Sequence, residues 1–372
     1  MWFKRMLIEK ESPEQYGYDR IKYNLTESST SDKSLADLGI KINDKLLLCY
    51  GDHLGKPQLR ELIGQRYGVT ANDVTITTGA CMALFTIYST LLKPDDHVIV
   101  IHPNYPANIE ITRSLGCNVE LYKLNFSEGF RFNAEKMIAM LKPETKLVNI
   151  TYPHNPTGTM LSQQDLSLLA KACEANGTYL LVDETYGDLT WGPRLSHVCN
   201  LTPYGICVES LSKAIGAPGI RAGWIVTKNK KLQEDIIAVK EQICICGSVV
   251  DDECAYQILQ RNDALMAPIR KDLEEKFSVV CEAMESQNVL EWVKPEGGVI
   301  FFPHIKDEIE IDTEKFYDVL NNKYGVFVGP GHWFDVDDRY FRVGYAWPDK
   351  EQLRGGLAGL VAAVKETGKN IN

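Results

Sequence analysis

No stretch of the 372 residues approaches the roughly 18 consecutive apolar residues expected of a membrane span. Basic charge is also scarce: 40 Lys and Arg stand against 50 Asp and Glu, which leaves a net charge of −10. Nucleic acids and anionic membrane surfaces are held by clustered Lys and Arg, so neither is an expected partner. An acidic total still leaves room for a small basic pocket. Met1 to Lys10 mixes charge with apolar residues and lacks the apolar core and cleavage site of a secretory leader, so the expected location is cytoplasmic. Cys49, Cys81, Cys117, Cys207 and Cys281 sit singly in apolar segments, as small hydrophobes do. The one close pair, Cys244 and Cys246, has no further ligand residues beside it, and no metal site is expected. There is no internal repeat and no low-complexity block.

Hydrophobic residues make up 44% and charged residues 24%, the balance of an ordinary globular chain, and the length suits two domains. Short β-rich runs fall at Val74–Thr77, Val98–Ile101, Asn118–Leu121, Leu147–Ile150, Tyr179–Asp183, Ile206–Glu209 and Gly223–Val226. Helical periodicity separates several of them, at Cys81–Leu92, Ala134–Leu141 and Ser162–Asn176. Such alternation predicts an α/β fold, a central sheet covered by helices on both faces, with ligands at the carboxyl ends of the strands. From Asp263 the pattern changes to a long amphipathic helix ending at Glu285, a turn and strand over Glu296–Phe302, a helix at Thr313–Asn321, strands at Val326–Val328 and Tyr340–Val343, and a helix at Lys350–Lys365. The expected division is an N-terminal segment, residues 1–45, packed on a small α+β domain of residues 263–372, with a large domain of residues 46–262 between them.

Chemistry gathers at the strand ends. Lys213, in Ser210-Leu211-Ser212-Lys213, follows the strand Ile206–Glu209. A partly desolvated lysine there loses its proton readily and forms an imine with an aldehyde. Eight residues on, Arg221 lies among glycines, and its fork suits a phosphate dianion. Asp183 ends a strand, with Tyr186 three residues later; a carboxylate buried there needs a cation, and a protonated pyridine nitrogen is one. Asn155, after His154, can donate to a phenolic oxygen. Gly79-Ala80-Cys81 opens a helix and offers free N–H groups to a phosphate. Tyr105 can stack on a flat ring, and Arg342 inside an apolar strand needs a carboxylate. Taken singly, each residue also has a plain reading: a surface lysine, a core-edge arginine, a helix N-cap at Asp183, a loop at His154–Asn155, a half-buried loop tyrosine.

Together and in this order, these residues resemble the class I/II aminotransferase family of fold-type I pyridoxal phosphate enzymes, from about Tyr50 to Ala346. The resemblance implies pyridoxal 5′-phosphate anchored on Lys213, Ser210 and Ser212 beside its phosphate, an amino acid substrate, and a homodimer in which Tyr50 reaches the partner's phosphate. Softer features resemble the cyclases of hydroxylated arginine that make capreomycidine and enduracididine: the polar stretch Asn24–Ser29 and the run Glu296–Pro303, with Asp52 and His53 where transaminases tend to carry proline or small residues. That likeness implies dehydration and ring closure, with Glu27, Asp52 and Asp188 as candidates for a guanidinium and His53 for a proton. Each also reads as an ordinary solvated or loop residue. Transamination, and then β-lysis, are the alternatives.

Overall fold

In the computed structural model, which describes residues 2–371, each of the seven β-rich runs forms a strand of one sheet. The strands are β1 (Val74–Thr78), β2 (His97–His102), β3 (Asn118–Lys123), β4 (Thr145–Thr151), β5 (Tyr179–Asp183), β6 (Gly205–Ser210) and β7 (Ala222–Val226). Their spatial order is β1-β7-β6-β5-β4-β2-β3. All neighbours run parallel except β7, which is antiparallel to both β1 and β6. Side chains alternate across the sheet, as period-2 strands require. Ile99 and Ile101 belong to one buried cluster, while Val98 and Val100 belong to the other. The sheet is apolar on both faces because helices cover both.

This topology gathers the polar strand ends on one edge. Thr78, Thr151, Asp183 and Ser210 end β1, β4, β5 and β6 there. Because β7 runs the other way, its beginning lies at that edge: Thr78 pairs with Ala222 and Ser210 with Gly223, which brings Arg221 beside both.

Beyond the sheet, the long helix is Asn262–Glu285, packed against the last helix, Lys350–Thr367. A three-stranded sheet places Phe341–Gly344 between Ile300–Phe301 and Gly329–Pro330. Two expected helices are shorter than their periodicity. Ala134–Ile138 tightens to three-residue hydrogen bonds at Leu141, two residues before Pro143, which disfavours helix in the residue before it. Thr313–Asp318 widens into a π-turn over Val319–Lys323.

The N-terminal segment bonds to more than the small domain. Tyr23–Asn24 does pair in parallel with Val326–Phe327. Residues ahead of it reach both sides: the Trp2 amide donates to Ser114 O and Phe3 packs on Phe85, while Glu11 accepts from Trp333 Nε1 at 2.7 Å and meets His332 Nε2 at 2.7 Å. Two short helices, Leu7–Lys10 and Pro13–Tyr16, make this part a strap between the two bodies.

Gly344 locks the strap's inner end. Its amide donates to Leu25 O at 2.7 Å, and a Cβ there would stand 1.8 Å from Glu27 O. A Gly344→Ala substitution must displace the backbone of residues 25–27. We expect urea denaturation to show a loss of about 1–3 kcal/mol.

Candidate active site

A cavity of about 470 Å³ opens at the sheet edge just described, a volume that suits a small-molecule site. Its floor carries Lys213, Ser210, Ser212, Asp183, Tyr186, Asn155, Ala80 and Cys81, with Tyr105, Arg221 and Arg342 on its walls. The strap closes the outer side with Glu9, Ser12 and Glu14, and Trp333 comes from the small domain.

One end is built to receive an anion. Gly79 begins the helix Gly79–Leu91 with φ +74°, and a Cβ on it would lie 2.7 Å from Arg221 Nη2. Only glycine allows both that backbone and that approach. Arg221 is itself left-handed, at φ 48° and ψ 37°, a costly conformation for a residue with a side chain. Its Nη1 donates to Pro218 O at 2.9 Å, and it forms no salt bridge among the described residues. Helix N–H groups, two serine hydroxyls and an unpaired guanidinium thus converge on one spot.

Asp183 is 5% exposed and has no salt bridge among the described residues. Its Oδ1 accepts from the Thr185 amide at 3.1 Å and hydroxyl at 2.6 Å, and Asn108 Nδ2 donates to Oδ2 at 3.4 Å. Burial pushes its carboxyl up, and the Thr185 and Asn108 hydrogen bonds only partly reverse that. A carboxylate in this position lacks a cation, and a pyridinium nitrogen supplies one.

At the far end Arg342 is 3% exposed. Nη1 donates to Asn155 Oδ1 at 3.2 Å and Nη2 to Thr26 O at 2.9 Å, while Nε has no partner. Burial lowers the basicity of this guanidinium, and Tyr186, Glu27, Tyr105 and Glu9 oppose that. It is a buried cation waiting for a carboxylate. Tyr105 bonds sideways, its hydroxyl 3.2 Å from Cys81 Sγ and 3.1 Å from Glu9 Oε1.

The residues present therefore fit pyridoxal phosphate: Lys213 for the aldehyde, Asp183 for the ring nitrogen, and Gly79, Ala80, Ser210, Ser212 and Arg221 for the phosphate.

Not every expected residue reaches the cavity. Asp52 pairs with Arg60 at 2.9 Å, and His53 Nδ1 lies 2.6 Å from Glu241. Tyr50 is 79% exposed and lines no part of the cavity of its own chain. Asp188 faces away from the site. Arg66 Nη2 donates to both its oxygens at 2.8 Å and Arg194 Nη1 to one at 3.1 Å. Burial raises its carboxyl, but the two arginines outweigh burial and leave it below the usual range. Arg194 also bridges Glu184 and Glu209, and Glu184 binds His197 at 2.7 Å. Glu184, His197 and Cys207 lie close enough to share a metal ion, but Arg194 already occupies that carboxylate.

Of the acidic residues expected near a guanidinium, only Glu27 lines the cavity; Glu9 and Glu14 join it from a segment whose role the sequence reading did not foresee. Ser12-Pro13-Glu14 was the available signal, an N-cap residue followed by proline at the first helical position.

This site defines a fold-type I pyridoxal phosphate enzyme. The chain belongs to the family of class I and II aminotransferases, which matches residues 27–360. It is similar to capreomycidine synthase of Streptomyces vinaceus, 28% identical over 91% of this chain and 86% of that one. It is also similar to the arginine–pyruvate transaminase AruH of Pseudomonas aeruginosa, 28% identical over 77% and 74%. The crystal structure of a pyridoxal phosphate-dependent aminotransferase from Streptococcus suis superimposes with a TM-score of 0.90 at 27% identity, over 100% of both chains.

Two substitutions test the division between site and scaffold. Lys213→Ala is expected to abolish any borohydride-reducible cofactor adduct, read by mass spectrometry. Asp188→Asn strands Arg66 and leaves Arg194 only Glu184 and Glu209, so it is expected to cost about 3–5 kcal/mol in denaturation while substrate preference is kept.

Proposed function

We propose that this enzyme dehydrates and cyclises a hydroxylated L-arginine, giving a cyclic guanidino amino acid of the enduracididine or capreomycidine type. The observation that carries the reading is the polarity of the cavity. Arg342 is a buried cation without a salt bridge among the described residues, and Glu9, Glu14 and Glu27 bring carboxylates to the same cavity. A substrate with an α-carboxylate and a guanidinium matches both sets of charges. The likeness to capreomycidine synthase supports the same reaction.

Arg342 and Asn155 hold the α-carboxylate. Lys213 takes the Cα proton and later returns it. Asp183 keeps the ring nitrogen protonated. Bound there, pyridoxal phosphate supplies the electron sink for the charge left at Cα. Glu9 and Glu14 receive the guanidinium by charge-assisted hydrogen bonds.

A second reading, transamination of arginine with a 2-oxo acid, is supported by the likeness to the arginine–pyruvate transaminase. It uses the same carboxylate and guanidinium contacts.

The working unit we propose is a cytoplasmic homodimer. Leu47, Leu48, Tyr50, Ile243 and Ile245 are exposed, and a second copy would cover them while Tyr50 reaches the partner's phosphate. Ten unpaired cysteines suit a reducing compartment.

Purified enzyme is incubated with β- and γ-hydroxylated arginine, without any 2-oxo acid, and followed by mass. Loss of one water with all nitrogen retained is the expected result; strict dependence on a 2-oxo acid, with a keto product, overturns it. Glu9→Gln and Glu14→Gln are each expected to raise KM for the guanidino substrate about tenfold, with little change for an uncharged amino acid of similar length.

A further inference from the structure

Elimination of a hydroxyl group makes a demand that proton transfer at Cα does not. Hydroxide is a poor leaving group, so an acid must protonate the oxygen as the C–O bond breaks. Lys213 is committed to the cofactor and the Cα proton. The cavity must then hold another group that can give and take a proton.

Glu27 is the carboxyl group fixed firmly enough to do so. Its backbone is clamped, because the carbonyl of Thr26 accepts from Arg342 Nη2 at 2.9 Å and the carbonyl of Glu27 lies against Gly344. Its side chain accepts from the Tyr18 hydroxyl at 3.0 Å, and Tyr18 stacks on Trp347 with ring centres 6.2 Å apart. Glu9 and Glu14 ride on the exposed strap instead; Glu9 also accepts from a tyrosine hydroxyl, that of Tyr105, but its backbone is not held by Arg342 and Gly344.

We infer that Glu27 is the second acid–base group of this site, protonating the departing side-chain hydroxyl and then accepting the proton that the guanidinium loses on ring closure. The inference rests on the cyclase reading above.

The surroundings suit the acid form. Burial raises the Glu27 carboxyl most; Lys213 lowers it, Glu14 raises it, and the Tyr18 hydrogen bond and Arg342 lower it, with the balance above the usual carboxylate range. A substrate carboxylate that neutralises Arg342 removes one of the influences that lower the Glu27 carboxyl.

The steps balance. For a β-hydroxyl, Lys213 takes the Cα proton, the Cβ–O bond breaks with its electron pair on oxygen, and the Glu27 proton completes a water molecule. A guanidinium nitrogen then forms the bond to Cβ and passes its proton to the Glu27 carboxylate, and Lys213 returns a proton to Cα. For a γ-hydroxyl, Lys213 first sets the Cα proton down on the imine carbon of the bound cofactor, then takes the Cβ proton, and both protons are returned after ring closure. Hydroxyarginine becomes cyclic amino acid plus water, with no oxidant or reductant.

The test uses holoenzyme with Glu27→Gln, which copies the shape and neutrality of the protonated acid. We expect this variant to go on binding L-arginine, read by calorimetry, and exchanging its Cα proton in deuterated water, read by NMR. Water release from hydroxyarginine should fall at least ~100-fold, the scale of a lost general acid, and Glu27→Asp should restore part of it. If the wild-type enzyme cyclises hydroxyarginine and the Gln variant does so equally fast, Glu27 is not this group and the cyclase reading stands. If the Gln variant loses arginine binding and Cα exchange together with water release, Glu27 anchors substrate and the inference fails. If the wild-type enzyme releases no water from any hydroxyarginine, the cyclase reading and the inference fall together.

Discussion

Asp183 and Arg342 are both buried, and neither has an opposite charge in a salt bridge within the described residues. A buried unpaired ion costs several kcal/mol, so each is a debt left open by the fold. The seven-stranded sheet sets Asp183 at the end of β5, and the strand Phe341–Gly344 sets Arg342 opposite it. The remaining site residues complete the space between them. A ligand that pairs with these charges stabilises the native state by mass action, so the same two residues serve both binding and folding stability.

The contrast with Asp188 shows how context decides the role of a carboxylate. It stands five residues after Asp183, yet it belongs to a saturated cluster with Arg66, Arg194, Glu184, Glu209 and His197. Tyr67 adds a hydrogen bond to Glu209 and stacks on His197 with ring centres 3.9 Å apart. Three acids and two arginines, with a histidine beside them, already meet one another there, so each charge has an opposite charge in contact. The cluster ties the helix Pro57–Tyr67 to β6 and to the loop after β5, behind the cavity.

The large sheet was legible because each strand carries a dense β-rich run between turn formers, and its cofactor end was legible because Gly79, Asn155, Asp183, Lys213 and Arg221 each answer a different chemical need of one molecule. Side-chain recognition was not legible. Asp52, His53 and Asp188 have suitable chemistry, but local sequence does not reveal that Arg60, Glu241, Arg66 and Arg194 engage them from distant elements. Glu9 and Glu14 have the reverse history. They sit in a polar stretch without strand or helix periodicity, and they line the cavity because Glu11, Trp2 and Phe3 pin that stretch across the opening.

The strap has a consequence for how such an enzyme diverges. The cofactor cradle is written into the strand ends of a rigid sheet, where a change disturbs the fold. The acids at the cavity mouth ride on two single-turn helices, Leu7–Lys10 and Pro13–Tyr16, joined to the rest by a few polar bonds, by the ring contacts Phe3–Phe85 and Tyr16–Phe327, and by the buried side chains of Ile8 and Pro13. On the proposed reading, contacts to the distal part of a substrate come from a short segment that lies apart in the chain from the strands carrying the cofactor residues.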